Sequence, residues 1–515
     1  MAEKRLTRRD FLKISAMAVV AAALEACAPT PTPTKPAVAP TATPKPIEPT
    51  KPAVVAPTAT PKPAEPTKPP APKYSEAPML AELVKAGKLP PVEERLPKEP
   101  LVVPVVEEIG QYGGTWRRAF LSASDTGGMA RLWPEAMIQF STDGTKFEPG
   151  VFTKWEIADA GKTFIFKIRE GIKWSDGKPI TADDFMFWYE DILMNKELTA
   201  SVPSWFKAGG EPGAMEKVDN FTVRVKFAKA HPLFVMILAE PQGLPPKHYM
   251  QQFHVKYADK AQLDALIKEN KFERWDQLFG LKYNLYDNPD APTFSVWVTK
   301  TRLAEQRHIV ERNPYYWKVD PKGNQLPYID RIVHDLVGSA DLVVTKAIAG
   351  EIDMQGRHIA TDKYPLIKEN EKKGDYRLIM WTATLGSDLT VMFNTSFDAD
   401  PVVAKYITDK KFRQALSIAI DREDINRVLY LGLAKPRQAT VIDSSPDFKP
   451  DYATRWTKLD LAQANKMLDE LGLTKKDADG YRIAPENNQT LTIIIYIATI
   501  VPYTDAAPLI AEYWK

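Results

Sequence analysis

Cysteine occurs once in the 515 residues, at Cys27, which excludes an internal disulfide framework and a thiolate-built zinc site. Neither sign of charge is in excess. Against 66 Asp and Glu stand 68 Lys and Arg, and the resulting +2 gives no electrostatic case for nucleic acid or for a polybasic membrane patch. Histidine is scarce: His231, His248, His254, His308, His334 and His358 are scattered, with no HExxH and no paired-ligand spacing. Structural or solvent-exposed roles are expected for all six, and no metal site. A GxSxG elbow, a P-loop and a strand-borne GxGxxG are also missing, so no catalytic residue and no cofactor are expected. Nor is there a long hydrophobic run. Residues 14–24 are apolar but too few for an ordinary transmembrane helix.

What is present begins with an export signal. Thr7-Arg8-Arg9-Asp10-Phe11-Leu12-Lys13 matches the twin-arginine pattern, with Arg8 and Arg9 as its defining pair. The apolar run that follows ends at Leu24-Glu25-Ala26-Cys27, which looks like a bacterial lipobox, although Glu25 stands where a small or apolar residue is usual. The sole cysteine sits where the lipid would attach, so acyl chains on Cys27 are expected to anchor the protein at the outer face of a membrane. Residues 28–73 hold 16 prolines in 46 positions, and VAPTATPKPIEPTKP at Val38 recurs almost unchanged at Val55. Neither helix nor sheet survives that composition. A polyproline II tether reaching on the order of 140 Å is expected. A short amphipathic piece at residues 79–86 precedes Gly87, and the globular part is expected to begin near Leu101, which assigns residues 28–100 to a disordered Pro/Thr-rich linker.

Further on, strand-like and helix-like segments alternate, as in an α/β architecture. The stretch WEIADAGKTFIFKIREGIKWSDGKPITADDFMFW runs from Trp155 to Trp188. In it Phe164, Phe166 and Ile168 alternate with polar neighbours like a half-buried strand. Asp176-Gly177 supplies a tight turn. Thr181 can cap a helix with Asp184 three residues on, and Phe185, Trp188, Tyr189 and Ile192 fall on one helical stripe. Residues 222–227 alternate as a second strand. Residues 411–420 read as a helix, and Asp421 can cap another that Gly432 ends.

These residues resemble the signature of the family 5 extracellular solute-binding proteins, receptors that hand oligopeptides, dipeptides, nickel complexes or some oligosaccharides to ABC importers. Later blocks resemble the same family in its order: Glu311-Arg312-Asn313-Pro314-Tyr315-Tyr316-Trp317, Ala349-Gly350-Glu351-Ile352-Asp353, Phe393-Asn394, Phe412-Arg413-Gln414-Ala415 and Ala419-Ile420-Asp421-Arg422. The insert Gly323-Asn324-Gln325-Leu326-Pro327-Tyr328-Ile329-Asp330 looks like a longer subgroup.

The resemblance implies a two-lobed, class II periplasmic-binding-protein-like α/β fold. Lobe I would comprise residues 101–135 and 290–385, an inserted extra domain 136–289, and lobe II 386–515. Ligand would lie in the cleft, which closes by hinge motion. By order of elements the resemblance places Ser122, Ser124 and Asp125 at the cleft after the first strand, and Trp381, Ser387 and Asp388 near a crossing between lobes. Asp388 could pair with a ligand amine and Trp381 could pack a side chain or stack a sugar. In the family, further strands and a cleft-lining tryptophan-aspartate motif follow a segment like residues 491–515, so lobe II is expected to be incomplete and the chain truncated. The implied role is a lipid-anchored, monomeric, non-enzymatic receptor delivering oligopeptides to permease subunits and their ATPases. An oligosaccharide or metal-chelate receptor is the alternative, and a tethered surface hydrolase a remote one.

Overall fold

A computed structural model describes residues 73–133, 135–240, 243–382, 386–498 and 502–515. The chain divides into Met1–Pro70 and Ala71–Lys515, and every element below belongs to the second unit. The expected export signal with Arg8 and Arg9, the acylated Cys27 and the proline-rich repeats lie outside the described residues.

The alternation at Thr163–Ile168 becomes a strand that buries Phe164, Phe166 and Ile168. It pairs antiparallel with Phe152–Ala158 and with Thr222–Lys226, and Ala214–Asp219 completes an antiparallel four-stranded sheet. One face holds a phenylalanine-rich core that also takes in Trp174 and Trp317. Gly177 adopts φ +85°, and a Cβ there would lie 2.8 Å from the Tyr315 hydroxyl oxygen, so the turn needs glycine on both counts. Thr181 and Asp184 form the anticipated capping box: the Thr181 oxygen accepts from the Asp183 N–H, and the Asp184 carboxylate accepts from the Thr181 N–H at 3.0 Å.

The stripe after that cap is not one face. The α-helix covers only Ala182–Met186, and a π-helical segment, Phe187–Leu193, continues it. The wider π turn rotates successive side chains away from the α repeat. Phe185, Trp188 and Tyr189 therefore pack over the sheet, while Ile192 joins Phe187 in a second cluster with Met250, Leu278 and Phe279. Asp191, carried inward on this segment, is neutralised by Lys256 at 2.7 Å and bonded by the Tyr257 hydroxyl at 2.6 Å.

A second four-stranded sheet runs Trp297–Thr299, Arg307–Arg312, Arg331–Leu336, Thr115–Phe120. The last two strands are parallel, so their C-terminal ends open on the same edge. One lateral row in this sheet is unusual in its polarity. His308 pairs with His334, and His334 with Arg118, all buried beside Phe120 and Trp133.

The linker expectation fails for residues 74–100. Helix Pro78–Lys85 buries Leu80, and Val92 and Leu96 pack on Val319. Arg95 is fully buried. It forms an ion pair with Glu76, donates to the Pro314 carbonyl and to the Gln325 side chain at 2.9 Å, and so ties this segment to residues 314–325. Proline content alone suggested an open chain here, but a buried guanidinium with several acceptors outweighs it.

Toward the C-terminus four aspartates cap four helices. Asp400, Asp409, Asp421 and Asp460 each accept a backbone N–H at the start of Pro401–Thr408, Lys410–Ile418, Arg422–Leu429 and Leu461–Glu470. Helix Tyr503–Trp514 is held to them by the Trp514 indole on the Leu416 carbonyl (3.0 Å) and the Tyr513 hydroxyl on Asp424 (2.6 Å). Among the described residues no helix is long and apolar enough to cross a membrane.

Candidate functional site

In open α/β sheets ligand usually binds outside the carboxyl ends of parallel strands. Here the loops leaving those ends follow Phe120 and Leu336, joined by the Val337 N–H to the Phe120 carbonyl at 2.9 Å. Ser122 and Ser124 lie in the first loop. Both are exposed, and their hydroxyl oxygens are 3.0 Å apart. They offer donors and acceptors to anything bound at this edge.

Asp125 behaves differently. Its side chain is only 6% exposed, and its carboxylate accepts from the Leu121 N–H (3.0 Å), from His358 Nε2 (2.6 Å) and from Arg357 Nε. Burial alone would push its pKa up, but these hydrogen bonds overcome that and hold it below the usual carboxylate value. Asp125 is thus consumed within the protein. Expected as a ligand contact, it clamps the serine loop to the segment around Arg357 in this structure. Gly127 permits the approach, since a Cβ there would sit 3.0 Å from the Arg357 guanidinium carbon.

That segment returns to the sheet by a defined route. Ser339 caps helix Ala340–Ile348, Gly350 ends it at φ +71°, and Asp353 grips Arg117 through its backbone N–H (2.6 Å) and its guanidinium (2.5 Å). Gln355 then bonds the Ala119 carbonyl at 3.2 Å. The AGEID block therefore serves as a latch on strand Thr115–Phe120. Arg357 and Gln355 carry no signal in the sequence, and His358 is expected there only in a structural or solvent-exposed role. Their partners lie more than 230 positions away, and only the preceding AGEID block hints that the chain comes back.

The second predicted group stands apart. Trp381 is 74% exposed, next to Ile379 and Met380, which are also exposed. Ser387 Oγ donates to the Leu389 carbonyl at 2.8 Å. Asp388 lies close enough to Tyr430 to add to the burial that pushes the Tyr430 hydroxyl up to about 12. Gly386 (φ +78°) abuts the Thr440 carbonyl so closely that no Cβ fits. Among the described residues no hydrogen bond or ion pair joins Ser122, Ser124 or Asp125 to Trp381, Ser387 or Asp388. The groups displayed are exposed hydroxyls, an open indole and a carboxylate. Among the described residues no group of three or more His, Cys, Asp or Glu side chains could hold a metal ion.

The family model described as bacterial extracellular solute-binding proteins, family 5 Middle, matches residues 146–515. A solved structure titled oligopeptide-binding protein OppA is 42% identical, with a TM-score of 0.68 over 86% of this chain and 70% of that one. The periplasmic binding protein MelB of agrobacterium fabrum C58, solved in complex with stachyose, is 24% identical, with a TM-score of 0.66 over 86% of this chain and 69% of that one. The periplasmic alpha-galactoside-binding protein of Rhizobium meliloti (strain 1021) is 29% identical over 451 residues, 79% of this chain and 61% of the relative. The chain thus spans less than two thirds of that relative's length. The fold it shares with these structures is the α/β periplasmic-binding-protein fold.

Proposed function

The chain belongs to the family 5 bacterial extracellular solute-binding proteins, and from that premise we propose that it works outside the cytoplasm as an oligopeptide receptor for an ABC importer. The observation that carries this reading is the 42% identity to a structure titled oligopeptide-binding protein, maintained over most of the chain. Ligand would be captured without covalent chemistry between two hinged lobes, with residues 101–135 and 290–385 in one, 386–515 in the other and 136–289 as an inserted domain. Ser122 and Ser124 would contact the ligand from one side, and Trp381, Ser387 and Asp388 from the other. Asp125 would act through them, by holding the serine loop in place.

A second reading, an oligosaccharide as ligand, is favoured by the alpha-galactoside-binding relative and by the stachyose complex of MelB, together with the exposed indole of Trp381. Calorimetric titration with defined oligopeptides and with galactosides separates the two. Saturable peptide binding supports the first reading, and sugar binding without peptide binding replaces it. Thermal unfolding gives an independent check, because ligand at a hundred times its dissociation constant adds about 2.7 kcal/mol. A screen of peptides, oligosaccharides and metal chelates that leaves the melting temperature unmoved would remove both.

Membrane attachment through acylated Cys27 after twin-arginine export belongs to the same proposal. Incorporation of labelled fatty acid that disappears in Cys27→Ala supports it. Label retained in that variant would place the lipid elsewhere.

A further inference from the structure

Away from both predicted groups, an open groove of ≈ 680 Å³ lies beside helix Lys260–Glu269 and the start of helix Trp275–Tyr283. Its size is that of a small-molecule site, roughly 300–1,000 Å³. The floor is apolar, formed by Leu263, Ile267 and Ala258. The wall is Trp275, and it is held in place before any ligand arrives. The Trp275 indole N–H donates to Glu197, its ring meets His254 edge-on at 4.7 Å between centroids, and Phe279 supports it at 5.9 Å. A side chain fixed on three sides loses little freedom on binding.

Charge selects the occupant. Four carboxylates line the groove, those of Glu197, Asp264, Glu273 and Asp276, against two cations. Lys260 is paired with Asp264 at 2.8 Å and Arg274 with Asp276 at 2.6 Å. Glu197, at the indole edge, and Glu273 make no ion pair among the described residues, and they share the field of Arg274, whose direct partner is Asp276. An anion would meet a lining with two more carboxylates than cations, and a neutral apolar molecule would leave that excess unanswered. A cation over the indole face gains from the ring quadrupole as well.

We propose that this groove is a second binding site, for an amphipathic organic cation: an amine or guanidinium head between Glu197, Glu273 and the Trp275 ring, with an apolar body on the Leu263 floor. The site is independent of the ligand read for the cleft, since none of its residues belongs to either predicted group.

The probe is n-octylamine, with n-octanol and octanoate as neutral and anionic controls of equal chain length, titrated into the full chain by calorimetry at low and at 0.5 M salt. Octylamine binding that is saturable and weakened by salt, with octanol weaker and octanoate undetected, is the expected result. Glu273→Gln should weaken octylamine by about fivefold, the size of one exposed charge contact, and Glu273→Lys should weaken it further. Because Glu273 is exposed and makes no side-chain bond to the core, both variants should melt with the unmodified protein. Equal binding of octanol, or octylamine affinity unchanged in Glu273→Lys, overturns the proposal, as does absence of saturable octylamine binding.

Discussion

Acid should loosen the sheet that carries the serine loop, and His334 gives the size of the effect. Its ring is 2% exposed, neither nitrogen has a hydrogen-bond partner, and the Arg118 guanidinium and His308 lie on either side. Burial first, then Arg118 and His308, push its pKa from the ordinary 6.5 down to about 3. The folded value lies below the unfolded one, so protons bind the unfolded chain preferentially. The neutral ring's contribution is fully present above pH 6.5 and is lost as pH falls toward 3. Each pH unit in that window removes about 1.4 kcal/mol, so between pH 6.5 and 4.5 the loss is of order 2–3 kcal/mol. His308, also depressed by burial, acts in the same direction. Denaturant unfolding of the unmodified protein and of His334→Leu at pH 7.5, 5.5 and 4.5 isolates the contribution. At pH 7.5 the variant should be nearly as stable, because it removes two unsatisfied nitrogens while keeping an apolar volume. At pH 4.5 it should be the more stable of the two by about 2 kcal/mol relative to that baseline. Parallel pH profiles for the two proteins would refute the reasoning.

Other consequences are simpler to measure. Thr181→Ala removes half of the capping box and should lower stability by about 1 kcal/mol in denaturant unfolding. Gly177→Ala combines a left-handed backbone with a contact on the Tyr315 hydroxyl and should lower stability by roughly 1–3 kcal/mol. Arg95→Ala strands Glu76 and the Gln325 side chain and should cost about 3–5 kcal/mol, a loss no linker residue would produce. Trp381→Ala should leave the melting temperature within about 1 °C, since a surface change of this kind is worth little, while weakening ligand in calorimetry. Unchanged ligand affinity would take Trp381 out of the proposed site.

Much of the fold was legible because it depends on neighbours within a few positions. The alternation of Phe164, Phe166 and Ile168, the Asp176-Gly177 turn, the Thr181 cap and the Asp421 cap all appear where short-range sterics and hydrogen bonding put them. The stripe from Phe185 to Ile192 was read with the α period. The π segment that splits it between two clusters is a response to packing on both sides, which no local period encodes. For the proposed site, positions were legible in the sequence but partners were not. Ser122 and Ser124 could be placed by the order of elements, but whether a carboxylate is free for ligand depends on what packs against it.

From its own residues the sequence determined the family, through ordered blocks spread along the chain, and the local elements those blocks build. Tertiary structure alone decided three things: that Asp125 is spent on Arg357 and His358, that residues 74–100 fold onto Pro314 and Gln325 through Arg95, and that His308, His334 and Arg118 meet in one buried row. Most of these contacts span more than 200 positions. Their partners are chosen by which strands pair and which surfaces are buried together, and that information is distributed over the whole core and is not written beside the residues concerned.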